Sequence, residues 1–255
     1  MRTIAIFDSG VGGLTVMRAI KDTLPHCNLV YLGDTARVPY GTKSKETILR
    51  YSLQVSQFLY AQGVDLLVIA CNTATAYGLH EVRARYPIPV IGVIEPGIDA
   101  TLQTTTGGKI GVIGTSATIA SGLYKRGIQE RLPAAHVTEI ATPLLVPLVE
   151  ENWTGTEVTR LTLERYLSGF PVIDTLVLGC THYPLLKNDI AAVLPNVALV
   201  DSALATARVV AGLAGQCSEQ QPRSTFYMTD TSSRFREIAT LFFGEEIASI
   251  EHIDL

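Results

Sequence analysis

Two cysteines stand where an apolar run gives way to a polar turn, 109 positions apart in the chain. Asp65–Thr73 reads DLLVIACNT and ends on Cys71 and its neighbours; Asp174–His182 reads DTLVLGCTH and ends on Cys180 in the same way. A free thiol titrates near about 8.5, close enough to neutrality to give and take protons. Burial, helix N-termini and polar neighbours tune it further. Two such groups facing one another suit the inversion of a carbon centre. One removes a proton from one face, the other delivers a proton to the opposite face, and the roles exchange with direction. An amino-acid α-proton is far less acidic than a thiol, so a site of this kind must also aim donors at the carboxylate to stabilise a carbanion. Asn72 and Thr73, and Thr181 and His182, directly follow the cysteines at expected helix N-termini, where backbone N–H groups favour anions. No lysine occupies either loop, so nothing there suggests a Schiff base to pyridoxal phosphate.

The elements that must position these residues are short β-branched runs alternating with amphipathic stretches. Candidate strands are Thr3–Phe7, Asn28–Leu32, Leu66–Ala70, Val90–Val93, Ile110–Ile113, His136–Ala141, Thr175–Leu178 and Ala198–Val200, with helical patterns such as Lys45–Gln62 and Gly155–Gly169 between them. Continuous Val/Ile/Leu runs alternating with helices predict parallel sheets buried on both faces. A second pair of segments repeats at an offset of 106: Ile4–Ile20, IAIFDSGVGGLTVMRAI, and Ile110–Ile128, IGVIGTSATIASGLYKRGI. Each reads as a strand, a loop of small and hydroxyl residues, and a helix. Two matches at nearly one period predict an α/β protein of two similar parallel-sheet domains related by a pseudo-twofold, with an active site in the cleft between them. Ligands of open parallel sheets bind beyond the carboxyl ends of the strands. Cys71, Cys180, Asp8 and Ser9 all sit at such ends.

Composition narrows the function classes. The 255 residues are 47% hydrophobic and 17% charged, enough for substantial cores, and the net charge of −4 comes without any basic run, which argues against a nucleic-acid partner. No apolar run has membrane-spanning length and no signal-peptide pattern opens the chain, so a cytoplasmic location is expected. Of the four cysteines, none forms a C-x-x-C or shares zinc spacing with histidine. In a cytosolic chain Cys27 and Cys217 are then expected to be reduced and structural or incidental.

ACNTA (Ala70–Ala74), GCTHYP (Gly179–Pro184), DSGVGGLTV (Asp8–Val16) and VPYG (Val38–Gly41) together resemble the aspartate/glutamate racemase family, in order along nearly the whole chain, and GCTHYP resembles its glutamate-specific members rather than its aspartate-specific ones. That resemblance implies a cofactor-independent glutamate racemase supplying D-glutamate for peptidoglycan, with no cofactor or metal, glutamate as partner, and a homodimer as one arrangement alongside a monomer. It implies Cys71 as the base for D-glutamate and Cys180 as the base for L-glutamate. Asp8, Glu150 and His182 match groups that assist proton transfer, with Glu151 adjacent to Glu150 as a rival. Asp8, Ser9, Tyr40, Gly41, Asn72, Thr73, Thr181 and His182 match groups that hold the substrate; Asp34 precedes the Tyr40 loop. Residues after about Arg208, including FYMTD (Phe226–Asp230), are implied to rejoin the first domain, giving domains of 1–97 with 209–255, and 98–208. The chain starts at its first strand, so the activation by a cell-wall precursor found where the family carries an N-terminal extension is not expected.

Other readings compete. GVGG with Asp34 suggests a dinucleotide fingerprint, but Thr15 occupies the third glycine position. The phosphatase spacing C-x5-R fails at Tyr77 and Leu186. An aspartate or other amino-acid racemase, or a decarboxylase, of the same superfamily remains open. So does a two-lobed binding protein without catalysis, which explains a cleft but not a matched thiol pair.

Overall fold

The computed structural model describes residues 2–215, 217 and 220–255. Among these residues, ten strands form two sheets. β1 (Thr3–Asp8), β2 (Asn28–Gly33), β3 (Leu66–Ile69), β4 (Val90–Gly92), β9 (Ser224–Met228) and β10 (Glu251–His252) make a six-stranded sheet in the order β10-β9-β2-β1-β3-β4. β5 (Lys109–Gly114), β6 (His136–Ala141), β7 (Thr175–Gly179) and β8 (Ala198–Asp201) make a four-stranded sheet in the order β6-β5-β7-β8. Every strand pair is parallel. The second sheet therefore repeats the β2-β1-β3-β4 portion of the first, which is the repeat seen in the sequence. The eight expected strands are all present, with ends within a residue or so. The helices run Lys45–Ala61 and Glu157–Leu167 where Lys45–Gln62 and Gly155–Gly169 were read. The second begins later because Gly155 has a positive φ and Thr156 caps the helix through the Thr159 N–H.

The acidic residue that opens each cysteine segment has the same task in both sheets. Asp65 accepts from the Thr3 N–H, and Asp174 accepts from the Gly107 and Lys109 N–H groups. Each carboxylate thus ties the start of a cysteine-bearing strand to the start of the central strand beside it.

The sheets' buried runs explain their parallel packing: β3 and β7 are buried along their whole length. Helix Ser202–Ala214 packs against helices Leu14–Thr23 and Ile94–Thr104, and one core cluster contains residues of both sheets, such as Ile6 and Leu178. After that helix the chain runs to β9, which pairs with β2.

One expectation is overturned here. Cys27, buried just before β2, is joined to Cys217 in a disulfide with a Cα–Cα distance of 5.1 Å. The fold thus brings together two thiols 190 residues apart, one before β2 and one after the helix Ser202–Ala214, with no motif linking them. Among the described residues, Cys71 and Cys180 are the free cysteines.

Candidate active site

In both sheets the chain leaves the central strand in opposite directions, which opens a crevice at the carboxyl ends of β1 and β3 in one and of β5 and β7 in the other. Asp8 closes β1, and Cys71 follows β3 by two residues; Gly114 closes β5, and Cys180 directly follows β7. The two crevices share one cleft of about 330 Å³, lined by Ser9, Tyr40, Gly41, Cys71, Asn72, Thr73, Glu150, Cys180, Thr181 and His182 among others. The close approach of the halves requires a glycine. A Cβ on Gly12, in the loop after β1, would collide with the side chains of Thr181 and His182.

Cys71 is the N-cap of helix Asn72–Arg85, and its Sγ accepts from the Ala74 N–H at 3.4 Å. Burial pushes this thiol up, with the nearby Asp8 carboxylate adding to the effect, to about 12. The Ser9 hydroxyl and the Ala74 amide work in the other direction, and the charge of Cys180 again raises it. Asp8 is itself buried, which raises its pKa, while His182 and the amides of Gly10, Gly13 and Ser9 pull it down. Its Oδ2 accepts from the Gly10 N–H at 2.9 Å. A buried carboxyl with raised proton affinity beside a thiol is a suitable relay for that thiol's proton.

Around Cys180 the arrangement differs. Only a short 3-10 turn, Tyr183–Leu186, follows it before helix Lys187–Val193, so the helix N-terminus expected there does not begin at the cysteine. Its Sγ lies 3.8 Å from Nδ1 of His182, and Nε2 of His182 lies 2.9 Å from Oε1 of Glu150. Burial opposes the imidazolium, but the contacts with Cys180 and Glu150 outweigh it and raise His182 to about 10. The edge of Phe242 packs on the imidazole, fixing its plane. Thus Glu150 is the acid that reaches the site; Glu151 points away and pairs with Arg234.

The second substrate loop is held from behind. Tyr40 donates to Oδ2 of the buried Asp34 at 2.5 Å, and Asp34 also accepts from Arg37 and from the Thr229 hydroxyl at 2.9 Å. The Tyr40 hydroxyl is therefore engaged away from any ligand, which leaves the backbone of Tyr40 and Gly41 to the cleft. Across the cleft the Thr73 hydroxyl bonds those of Thr115 and Thr118, at 2.8 and 3.1 Å. Thr115 and Ser116 line the site but were missed in the sequence. The 106-residue offset places Thr115 opposite Ser9, so the repeat carried the signal. Among the described residues, Oδ1 of Asp8 and Nδ2 of Asn72 are buried without a hydrogen-bond partner. Such atoms cost about 1–3 kcal/mol each and mark where a ligand's polar groups are wanted. Among the same residues no group of three or more His, Cys, Asp or Glu is placed to hold a metal ion.

Fold and site together define a class: α/β proteins of two parallel sheets with one free thiol from each facing a shared cleft. Residues 13–210 match the family of Asp/Glu/Hydantoin racemases. The chain is 48% identical over 245 residues to the glutamate racemase of Aquifex aeolicus, covering 96% of this chain and 95% of that one. The crystal structure of glutamate racemase from Francisella tularensis in complex with D-glutamate superposes with a TM-score of 0.93 at 36% identity, over 99% of this chain and 97% of that one. A glutamate racemase isoform from Bacillus anthracis gives a TM-score of 0.94 at 38% identity, over 100% and 98%. The chain belongs to the Asp/Glu/Hydantoin racemase family, and its enzyme class is that of the isomerases.

Proposed function

We propose that this chain interconverts L- and D-glutamate by proton transfer between Cys71, Cys180 and the substrate α-carbon, with no cofactor, and so supplies D-glutamate for peptidoglycan from the cytoplasm. The observation that carries this reading is the pair of free, buried thiols at equivalent strand ends of two repeated sheets, both facing one cleft. Cys71, as thiolate, removes the α-proton of D-glutamate while Cys180 delivers one to the opposite face; in the L-to-D direction the roles exchange. A charge on Cys180 raises the proton affinity of Cys71.

Asp8 takes the Cys71 proton in one direction; on the other face His182, held by Glu150 as an imidazolium, pairs with Cys180 when that thiol is ionised and so assists its proton transfer. The amides and side chains of Ser9, Tyr40, Gly41, Asn72, Thr73 and Thr181 hold the two substrate carboxylates, with Asn72 Nδ2 and the helix N-terminus at Asn72 as donors that stabilise the carbanion. Residues 1–97 with 209–255, and 98–208, are taken as the two domains whose approach closes the cleft. No helix among the described residues is long and apolar enough to cross a membrane. A homodimer is the assembly to set against a monomer by light scattering.

Incubation of each glutamate enantiomer in deuterated buffer, without pyridoxal phosphate, flavin or metal, tests the reading. Loss of optical activity with solvent deuterium appearing at Cα of the newly formed enantiomer is expected. Activity that returns after dialysis only with pyridoxal phosphate would refute it. Aspartate should react at least ~100-fold less efficiently, because one missing methylene displaces the reacting carbon by about 1 Å; equal kcat/KM for aspartate would point instead to the aspartate-specific activity.

A further inference from the structure

Tyr124 lies on helix Leu123–Arg131, in the half of the molecule that carries Cys180, and is fully buried. Its hydroxyl crosses to the other half and donates to Oδ1 of Asn72 at 2.7 Å. Asn72 is the residue after Cys71 and lines the cleft. A carboxamide has an acceptor end and a donor end, and the two exchange by a half-turn about one bond. With Oδ1 engaged by the phenol, the end left over is Nδ2, and that nitrogen is the buried donor without a protein partner. The opposite orientation would present an oxygen to an anionic ligand. Burial pushes the Tyr124 phenol up, with the Ser202 side chain offsetting this in part, so the hydroxyl retains its proton and remains a donor throughout the working range. Small residues make room for the ring: a Cβ on Gly97 would meet the Tyr124 hydroxyl at 3.1 Å, and one on Gly179 would meet its ring at 3.3 Å.

We propose that Tyr124 is a positioning residue for the substrate: its hydroxyl fixes the Asn72 carboxamide so that Nδ2 is the atom offered to a substrate carboxylate. This rests on the reading of Asn72 as a substrate-holding residue. Because the bond spans the two halves, the amide is oriented only when the halves are together, which links closure of the cleft to readiness of the donor.

The test is a double-mutant cycle read as KM for both glutamate enantiomers, with thermal melts and circular dichroism on each preparation. Tyr124→Phe keeps the ring and removes the donor. It should raise KM about tenfold, with a smaller change in kcat, and in an Asn72→Ala background it should change KM less than twofold. An equal KM effect on both backgrounds, or no effect in the parent, would overturn the proposal, because a purely structural hydroxyl acts whether or not Asn72 is present. If Asn72→Ala itself leaves KM unchanged, the reading of Asn72 has failed instead. Asn72→Asp gives a check that does not depend on Tyr124→Phe folding. With the phenol holding one oxygen, the other faces the substrate carboxylate, so KM should rise well above that of Asn72→Ala. An Asn72→Asp enzyme with the parent's KM would overturn the proposed orientation.

Discussion

Cys71 and Cys180 end equivalent strands of repeated sheets, yet the acid–base groups beside them are unlike. On the Cys71 side the thiol caps a 14-residue helix, and a buried carboxyl, Asp8, closes the neighbouring strand. On the Cys180 side the strand equivalent to that of Asp8 closes with Gly114, so no acid stands there; the partner is the imidazole of His182, two residues beyond the thiol and backed by Glu150. A mirror-image reaction does not require mirror-image bases. It requires a group that tunes the thiol on each face, and here a buried carboxyl with raised proton affinity does so on one side while an imidazolium held by ion pairing does so on the other. The two halves carry their thiols at equivalent places and differ in what surrounds them.

The comparison breaks most completely at the thiols. Cys71→Ser and Cys180→Ser should each lower racemisation by about 10³-fold or more, since a serine hydroxyl is far harder to ionise. Retention of a tenth of the activity by either folded variant would remove that cysteine from the mechanism.

Replacing these partner groups sharpens the comparison. Asp8→Asn and His182→Asn should each cost about 10²-fold, but from opposite sides. The enantiomers have equal free energies, so kcat/KM in the two directions must stay equal in every variant. The asymmetry therefore appears in substrate α-deuterium isotope effects: Asp8→Asn should change the effect chiefly from D-glutamate and His182→Asn chiefly from L-glutamate. Identical changes in both directions for both variants would show that Asp8 and His182 are not divided between the faces.

A smaller effect separates the halves by pH. His182 is raised from 6.5 to about 10, so the folded state binds this proton more tightly than the unfolded chain does. Its contribution to stability is complete below about pH 6.5 and is lost as pH rises through about 10. Cys71, raised from 9.0 to about 12, changes stability only above pH 9. Urea titrations should therefore show the stability advantage of the parent over His182→Asn shrinking between pH 6.5 and 9. An advantage that grows over that range contradicts the assigned ion pairing.

The smallest effect on activity belongs to the disulfide, remote from both thiols of the cleft. Cys27→Ser should leave kcat within about twofold while lowering unfolding free energy by about 2–5 kcal/mol under non-reducing conditions, as expected for a long closed loop. Labelling of unfolded, unreduced protein should find two thiols; four would show the pair reduced.

The parts legible in the sequence are those with a local pattern. Six of the eight expected strands were readable because both faces are buried and their apolar runs are nearly continuous, whereas β6 and β8 are partly exposed along most of their length. β9, Ser224–Met228, has no such run: its residues alternate between buried and partly exposed, and its pairing with β2 is a matter of long-range topology. The Cys27–Cys217 pairing was invisible for the same reason. Around the site, the cysteines and their neighbours stood out through the repeat, and the family resemblance supplied Glu150. Thr115 was within reach of the repeat. Tyr124 was not, since a tyrosine on an amphipathic helix is indistinguishable from a packing residue until its hydroxyl is seen on Asn72.

The central claim, that each thiol serves one face, is tested most directly with substrates that lose a leaving group after a single proton abstraction, such as N-hydroxy- or β-chloro-glutamate enantiomers. Elimination is irreversible, so the equality that binds the two directions of racemisation does not apply, and one base suffices. Cys180→Ser, which keeps Cys71, should eliminate preferentially from the D analogue, and Cys71→Ser from the L analogue, each by about 10²-fold or more over the other enantiomer. If the two folded variants treat both enantiomers alike, the opposed two-thiol account is contradicted.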